Sequence, residues 1–239
     1  MKYIYILKTG ETFETTNSKL GDFDKWVKNI VNDNYIKTID ILNNEKLPNI
    51  YSAKGFIITG SHSMVTQELQ WSVKLEKYIK KIATKNIPLL GICYGHQLIA
   101  KALGGKSGYN KNGKEIGTVK IQKISSCKND SLLKNIPTQF YAHETHYQSV
   151  LKLPHKAIIL AKNTHESHQA VRFKKYIWGV QFHPEFNVDI MGEYIFNQKK
   201  DLDKLGFNID KLLSNVKNSS LSSKVLNNFI EIINEKKRD

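Results

Sequence analysis

LLGICYGHQLIAKALGG, Leu89 to Gly105, sets a cysteine between two glycines at the point where an apolar run gives way to a helical pattern. Ile87 to Ile92 reads as a buried strand, and the apolar spacing after Tyr94 reads as a helix. A strand that passes straight into a helix through G-x-C-x-G has the form of a nucleophile elbow, in which the central residue sits in a strained turn at the carboxyl end of the strand. Gly91 and Gly95, two positions either side of Cys93, would let strand and helix approach closely. The first N–H groups of the helix, with its dipole, favour a thiolate there, against a free thiol pKa of about 8.5. They could also hold a developing oxyanion. A free cysteine is more often simply a small buried hydrophobe, so the reading needs a base elsewhere in the chain.

Working outward, short β-branched and aromatic runs closed by glycine turns predict strands at Lys2–Leu7 and Gly55–Gly60. Between them Phe23–Val31 spaces its apolar residues as an amphipathic helix, and Tyr35–Leu42 alternates like a strand. Gln67–Ile82 carries Leu69, Val73, Leu75, Tyr78, Ile79 and Ile82 at helical intervals. Strands alternating with helices imply an α/β fold, a three-layer sandwich whose central sheet is largely parallel and covered on both faces. After Gly105 the runs Ile116–Ile124, Thr138–Glu144, Ala157–Asn163, His168–Phe173 and Ile177–His183 are strand-like with few helical signals between them, predicting an antiparallel extension. From about Val188 helix returns. Residues 1–190 are read as one domain and 191–239 as a C-terminal helical extension packed on it. The last helix carries Val225, Leu226, Phe229, Ile230 and Ile233 on one face, and lysines with Arg238 at its end suit the negative pole of its dipole. The polar run Ser214–Ser223 reads as a flexible linker.

The totals exclude several classes. A chain of 239 residues, 40% hydrophobic, can bury a full core. The N-terminal apolar run is too short for a secretory signal, and no segment approaches the roughly 18 apolar residues of a membrane span. Two cysteines, Cys93 and Cys127, make no disulfide framework. A cytoplasmic protein is expected, with no membrane partner. The net charge of +14 raises a nucleic-acid reading. Against it, arginine occurs only at Arg172 and Arg238, and the lysines are spread along the whole chain.

The base is found in GVQFHPEF, Gly179 to Phe186. A strand delivers His183, and Glu185 follows two residues later, so period-two alternation puts a carboxylate beside the imidazole. Pro184 between them stops the ladder, as at a sheet's carboxyl edge. Cys93 as nucleophile, His183 as base and then acid, and Glu185 as orienter make a triad. His143, His146, His165 and His168 form two i, i+3 pairs, but on strands these face opposite ways and no cysteine or paired carboxylate completes a ligand set, so no metal is expected. GGKSG at Gly104–Gly108 lacks the first glycine of a phosphate loop, which is Ala100 here, and it ends a helix instead of opening one.

GICYGHQLIAKALGG and GVQFHPEF, in that order, resemble the two signature segments of class I glutamine amidotransferase domains. FIITGSHSMV resembles that family's oxyanion-strand segment, and AHETHYQSVLKLP, Ala142 to Pro154, the segment that helps hold glutamine. Trp71 and the EIG of Glu115–Gly117 are similar to stand-alone proteins related to the amidotransferase domain of GMP synthase. The resemblance implies a flavodoxin-like fold and hydrolysis of a γ-carboxamide without a cofactor: Cys93 forms a γ-glutamyl thioester, ammonia leaves, and water releases glutamate. It implies an oxyanion hole from the backbone N–H groups of Gly60 and Tyr94, and substrate contacts at Gln97 and His143. Three readings follow: a glutaminase acting alone or for a separate ammonia-accepting synthase partner, a hydrolase of γ-glutamyl peptides or amines, and a non-catalytic binding module.

Overall fold

The computed structural model describes residues 2–31, 34–127 and 130–236. The first half alternates β1 (Tyr3–Lys8), α1 (Glu14–Leu20), α2 (Phe23–Val31), β2 (Ile36–Asp40), β3 (Ala53–Ile58), α3 (Gln70–Thr84), β4 (Leu89–Ile92) and α4 (Tyr94–Ala102). Strands then dominate: β5 (Lys106–Tyr109), β6 (Glu115–Lys123), β7 (Gln139–His146), β8 (Gln148–Lys152), β9 (Ile158–Lys162), β10 (Ala170–Lys174) and β11 (Ile177–Val180). Four helices close the chain, α5 (Val188–Asn197), α6 (Lys199–Lys204), α7 (Ile209–Ser214) and α8 (Ser220–Glu235).

Nine strands form one sheet in the order β2-β1-β3-β4-β11-β10-β9-β6-β7. The pairs from β2 to β11 are parallel and those from β11 to β7 antiparallel. This is the predicted largely parallel centre with its antiparallel extension. β5 and β8, absent from the sequence-based strand assignments, pair as a separate antiparallel ribbon. Alternation along the central strands divides the core. Ile4, Ile6, Ile57, Leu90 and Ile92 face one side, with Val27 of α2 and Val225, Leu226 and Phe229 of α8. Tyr5, Leu7, Phe56, Ile58 and Leu89 face the other, with Leu75, Ile79 and Ile82 of α3 and Leu98 and Ile99 of α4. The three layers follow from the period of two in a strand meeting helices on both faces.

Two local expectations are corrected. The helix predicted from Gln67 begins only at Gln70, because Val65–Gln67 forms a 3-10 turn and Glu68 is left-handed at φ 50°. The run Ser214–Ser223, expected as a flexible linker, is tied down. Lys217 N–H donates to Thr118 Oγ1 at 3.0 Å, Ser223 Oγ donates to the Pro184 carbonyl at 2.8 Å, and Ser222 is buried. Ser219, Ser222 and Ser223 donate to the carbonyls of Phe186, Ser219 and Pro184, whereas Ser214 and Ser220 face water. Lys237 and Arg238, assigned to the helix dipole, lie outside the described residues.

Candidate active site

β4 and β11 are parallel neighbours in register, with Val180 opposite Ile92. The chain leaves both strands at one level, so the residues that follow confront each other at the carboxyl edge of the sheet. Cys93 follows β4, and its N–H donates to the Val180 carbonyl at 2.8 Å. It sits at φ 48°, ψ −101°, a conformation costing a non-glycine residue about 1–3 kcal/mol. The strain is held in place by contact on both sides. A Cβ on Gly91 would stand 2.4 Å from the Gly95 carbonyl carbon, and one on Gly95 would stand 2.6 Å from the Ile58 oxygen. Gly91 thus admits the elbow helix, and Gly95 lets that helix lie on β3.

His183 follows β11. Its N–H donates to the His143 carbonyl at 2.9 Å, an isolated antiparallel bridge that carries the extension's edge strand to the site. Its Nδ1 lies 2.8 Å from Glu185 Oε1, and its ring stacks on Phe186 at 4.1 Å. Burial opposes the imidazolium, but the Glu185 carboxylate and the Cys93 sulfur outweigh it and raise the pKa to about 10. Gly60 lies across from them: a Cβ there would come within 2.9 Å of His183 Cε1 and 3.8 Å of Cys93 Cβ. Its carbonyl accepts the hydroxyls of Thr9 and Thr59 at 3.2 and 3.0 Å, which orients the peptide. Tyr94, first in α4, has an N–H with no intrahelical acceptor. Cys93, His183, Glu185, Gly60 and Tyr94 therefore converge on one corner.

A pocket of about 280 Å³ opens above this corner, with Cys93, Tyr94, Gln97 and His183 on its floor. Gln97 donates through Nε2 to the Gln148 carbonyl at 2.6 Å and to Gln181 Oε1 at 3.0 Å. Gln181 Nε2 in turn donates to Cys93 Sγ at 3.5 Å. Both amide hydrogens of Gln97 are thus spent on holding the walls together. His143 does not line the pocket. It is buried, its Nδ1 is 3.2 Å from Thr118 Oγ1, and burial followed by the charge of His183 pushes its pKa down to about 4. β7 runs on to His146, so this segment lines the pocket instead through Thr145 and His146 at the end of β7, Tyr147 of the turn and Gln148 at the start of β8.

The family model for glutamine amidotransferase class-I matches residues 21–201. The chain belongs to the class I glutamine amidotransferase family. It is 35% identical over 144 residues to gamma-glutamyl peptidase 4 of Arabidopsis thaliana, covering 59% of this chain and 57% of that one. It is 38% identical over 133 residues to a glutamine-hydrolyzing GMP synthase subunit of Pyrococcus furiosus, covering 55% and 66%. The chain thus matches under two thirds of the length of these relatives. A solved glutamine amidotransferase of Thermotoga maritima superimposes with TM-score 0.78 at 22% identity over 98% of both chains, and one of Methylobacillus flagellatus with 0.67 at 20% over 98% and 90%. At such identities the likeness is one of fold.

Within this amidotransferase fold, several residues in or behind the pocket escaped the sequence reading, Gln181 lying behind it against Cys93 Sγ. Gln181 belongs to the GVQFHPEF stretch, where the alternation opposite Cys93 could have marked it. His62, Lys114, Tyr194, Gln198 and Asp201 reach the pocket only through tertiary structure. Burial and the charges of His183 and Lys114 hold the His62 imidazole below its ordinary pKa. Tyr194 of α5 donates nothing to the floor but accepts Thr12 Oγ1 at 2.9 Å, closing one wall with residues beyond the 190 boundary. His146, which lines the pocket, and Glu115 and Glu144 behind it are buried with one ligand atom each within 4.8 Å of one another. These are the described residues whose donors could hold a cation. His146 Nε2 is 3.1 Å from Glu115 and 3.5 Å from Glu144, and burial followed by the charge of Glu115 drives the Glu144 carboxyl well above its ordinary pKa.

Proposed function

We propose that the chain hydrolyses the γ-amide of glutamine or of another γ-glutamyl compound through a cysteine thioester. The observation that carries this reading is the placement at one corner of Cys93, in its strained turn, and a His183 imidazole charged through Glu185. The Cys93 sulfur attacks the amide carbon, and a C–S bond forms as the carbonyl electrons move to oxygen. The N–H groups of Gly60 and Tyr94 face that oxygen, each donor worth about 2.7 to 4 kcal/mol in the transition state. Collapse breaks the C–N bond, and His183 gives its proton to the leaving nitrogen, which departs as ammonia or an amine. Water then attacks the thioester while His183 accepts a proton, releasing glutamate and the thiol.

A peptide or amine leaving group is favoured as the second form of this activity by the pocket's outer wall. Asn197, Gln198 and Asp201 of the C-terminal helices offer polar groups beyond the reacting corner. The similarity to a gamma-glutamyl peptidase supports that form, and the similarity to a GMP synthase subunit supports delivery of ammonia to a separate synthase. No described helix is long and apolar enough to cross a membrane, and a cytoplasmic site of action fits two free cysteines. The test is purified protein incubated with glutamine and, separately, with γ-glutamyl peptides, following ammonia and glutamate. Wild type releases glutamate, and Cys93→Ala releases none while keeping its melting temperature. Turnover by Cys93→Ala would remove the nucleophile from this account.

A further inference from the structure

We propose that Lys114 is the specificity-determining residue of the pocket, receiving the α-carboxylate of the γ-glutamyl group whose amide faces Cys93. The inference rests on the hydrolytic reading above and adds to it the group that selects the acyl side of the substrate. Lys114 lines the same pocket as Cys93 but takes no part in the triad. Its Nζ donates to the neutral side chain of Gln198, at 2.7 Å from Oε1, and sits 4.0 Å from the centre of the Tyr147 ring. Among the described residues no carboxylate comes within 4.0 Å of it. The acid nearest in effect, Asp201, has a side chain 74% exposed and pairs with Lys204 at 3.6 Å.

A cation drawn out of water without an anion beside it is costly unless a ligand supplies that anion. The desolvation is felt: burial pulls the Lys114 ammonium down to about 8, although Cys93 and Asp201 oppose the shift. The group is also preorganised. Asn110 N–H donates to the Tyr147 carbonyl at 2.9 Å, and the Asn110 side chain donates to Ser149 at 2.8 Å and Glu166 at 3.1 Å. Asn112 donates to the His165 carbonyl at 2.7 Å. The loop that presents Lys114 is therefore stapled to the very segment, Tyr147 and Gln148, that lines the pocket. A partly buried ammonium, held on a stapled loop beside the reacting corner with neutral partners and no carboxylate against it, is a receptor for a carboxylate. A γ-glutamyl group brings one at the opposite end of a short chain from its amide.

The test is calorimetric binding to the Cys93→Ser variant, which removes turnover, using L-glutamine and 4-aminobutanamide, the same molecule without its carboxylate. Adding Lys114→Met weakens L-glutamine by about 10- to 100-fold, as expected for a lost charge-assisted contact. It leaves 4-aminobutanamide within about threefold, and Lys114→Arg restores most of the affinity for glutamine. Equal weakening of both ligands, or no weakening of glutamine, overturns the proposal while leaving the hydrolytic reading in place. So does a Lys114→Met effect confined to γ-glutamylglycine, which would give Lys114 the leaving-group carboxylate instead. Failure of the Cys93→Ser parent to bind either L-glutamine or γ-glutamylglycine, together with no turnover by wild type, overturns the hydrolytic reading and this one with it.

Discussion

His183 Nδ1 meets Glu185 Oε1 at 2.8 Å, two residues along the same chain, on a ring that stacks against Phe186. The carboxylate does more than aim the ring. Burial alone would discharge the imidazole, and Glu185 with Cys93 keeps it charged to about pH 10. Removing the carboxylate lets desolvation prevail. In Glu185→Gln the alkaline limit of kcat/KM falls from about pH 10 toward neutrality, and kcat at pH 8 drops by about 10² to 10⁴. Because the folded pKa is raised, the stability contributed by the His183 charge is complete below the ordinary histidine value near 6.5 and is lost as pH rises through about 10. Wild type therefore loses more melting temperature between pH 8 and 10.5 than Glu185→Gln does. pH–rate profiles and thermal melts of both proteins check this, and an unmoved alkaline limit contradicts it.

Gly60 borders both Cys93 and His183. Its missing side chain leaves room for a ring: a Cβ would stand 2.9 Å from His183 Cε1. Gly60→Ala is expected to push the imidazole away from Cys93 and to lower kcat by about 10²-fold, since misplacing a reacting group by roughly 1 Å costs that much. Thermal denaturation should move little, because the methyl meets a side chain and not the backbone. Full activity in Gly60→Ala would show that the ring is not held where the structure has it.

Glu144 is buried beside Glu115 with neither carboxylate oxygen hydrogen-bonded. Burial and the charge of Glu115 raise its folded pKa, so the folded state binds a proton that the unfolded state releases above the usual glutamate value near 4.5. Stability falls as pH rises through that window. Glu144→Gln, which fixes the neutral form, should gain stability over wild type as pH increases from 5 to 9. Urea melts at both pH values check the trend, and a gap that closes with pH contradicts it.

Phe229 of α8 is fully buried and packs across Trp178 of β11 at 6.4 Å between ring centres. Asn228 beside it donates to the carbonyls of Leu132 and Lys134 at 2.9 and 2.8 Å. The last helix is thus part of the main core and not an appendage. Phe229→Ala should cost about 3 to 5 kcal/mol of unfolding free energy, read from urea denaturation. A cost below about 1 kcal/mol would mean that α8 is not docked.

Much of this was legible in one dimension. The alternation of β1, β3 and β4 and the helical spacing of α2 and α3 reported the layers, because a parallel sheet buried on both faces needs apolar residues on every strand face. Cys93 between Gly91 and Gly95 reported the elbow, because backbone contacts of 2.4 to 2.6 Å admit no side chain there. His183 and Glu185 reported each other, because a partner two residues away is a local matter. The short ribbon of β5 and β8 and the helix α1 left no such mark: ETTNSKL carries no apolar stripe and buries only Thr16.

The chain's order of residues therefore determined the layers, the elbow and the pair of residues that charge one another, all of which depend on contacts within a few positions or on a repeating period. What surrounds the Cys93 sulfur was decided only in three dimensions. Lys114, Tyr194 and Gln198 come from one loop and one helical region far apart in sequence, and His143 gives way to Tyr147 because β7 extends three residues beyond it. Register and packing between distant segments set those positions, and neither has a period that a sequence can display.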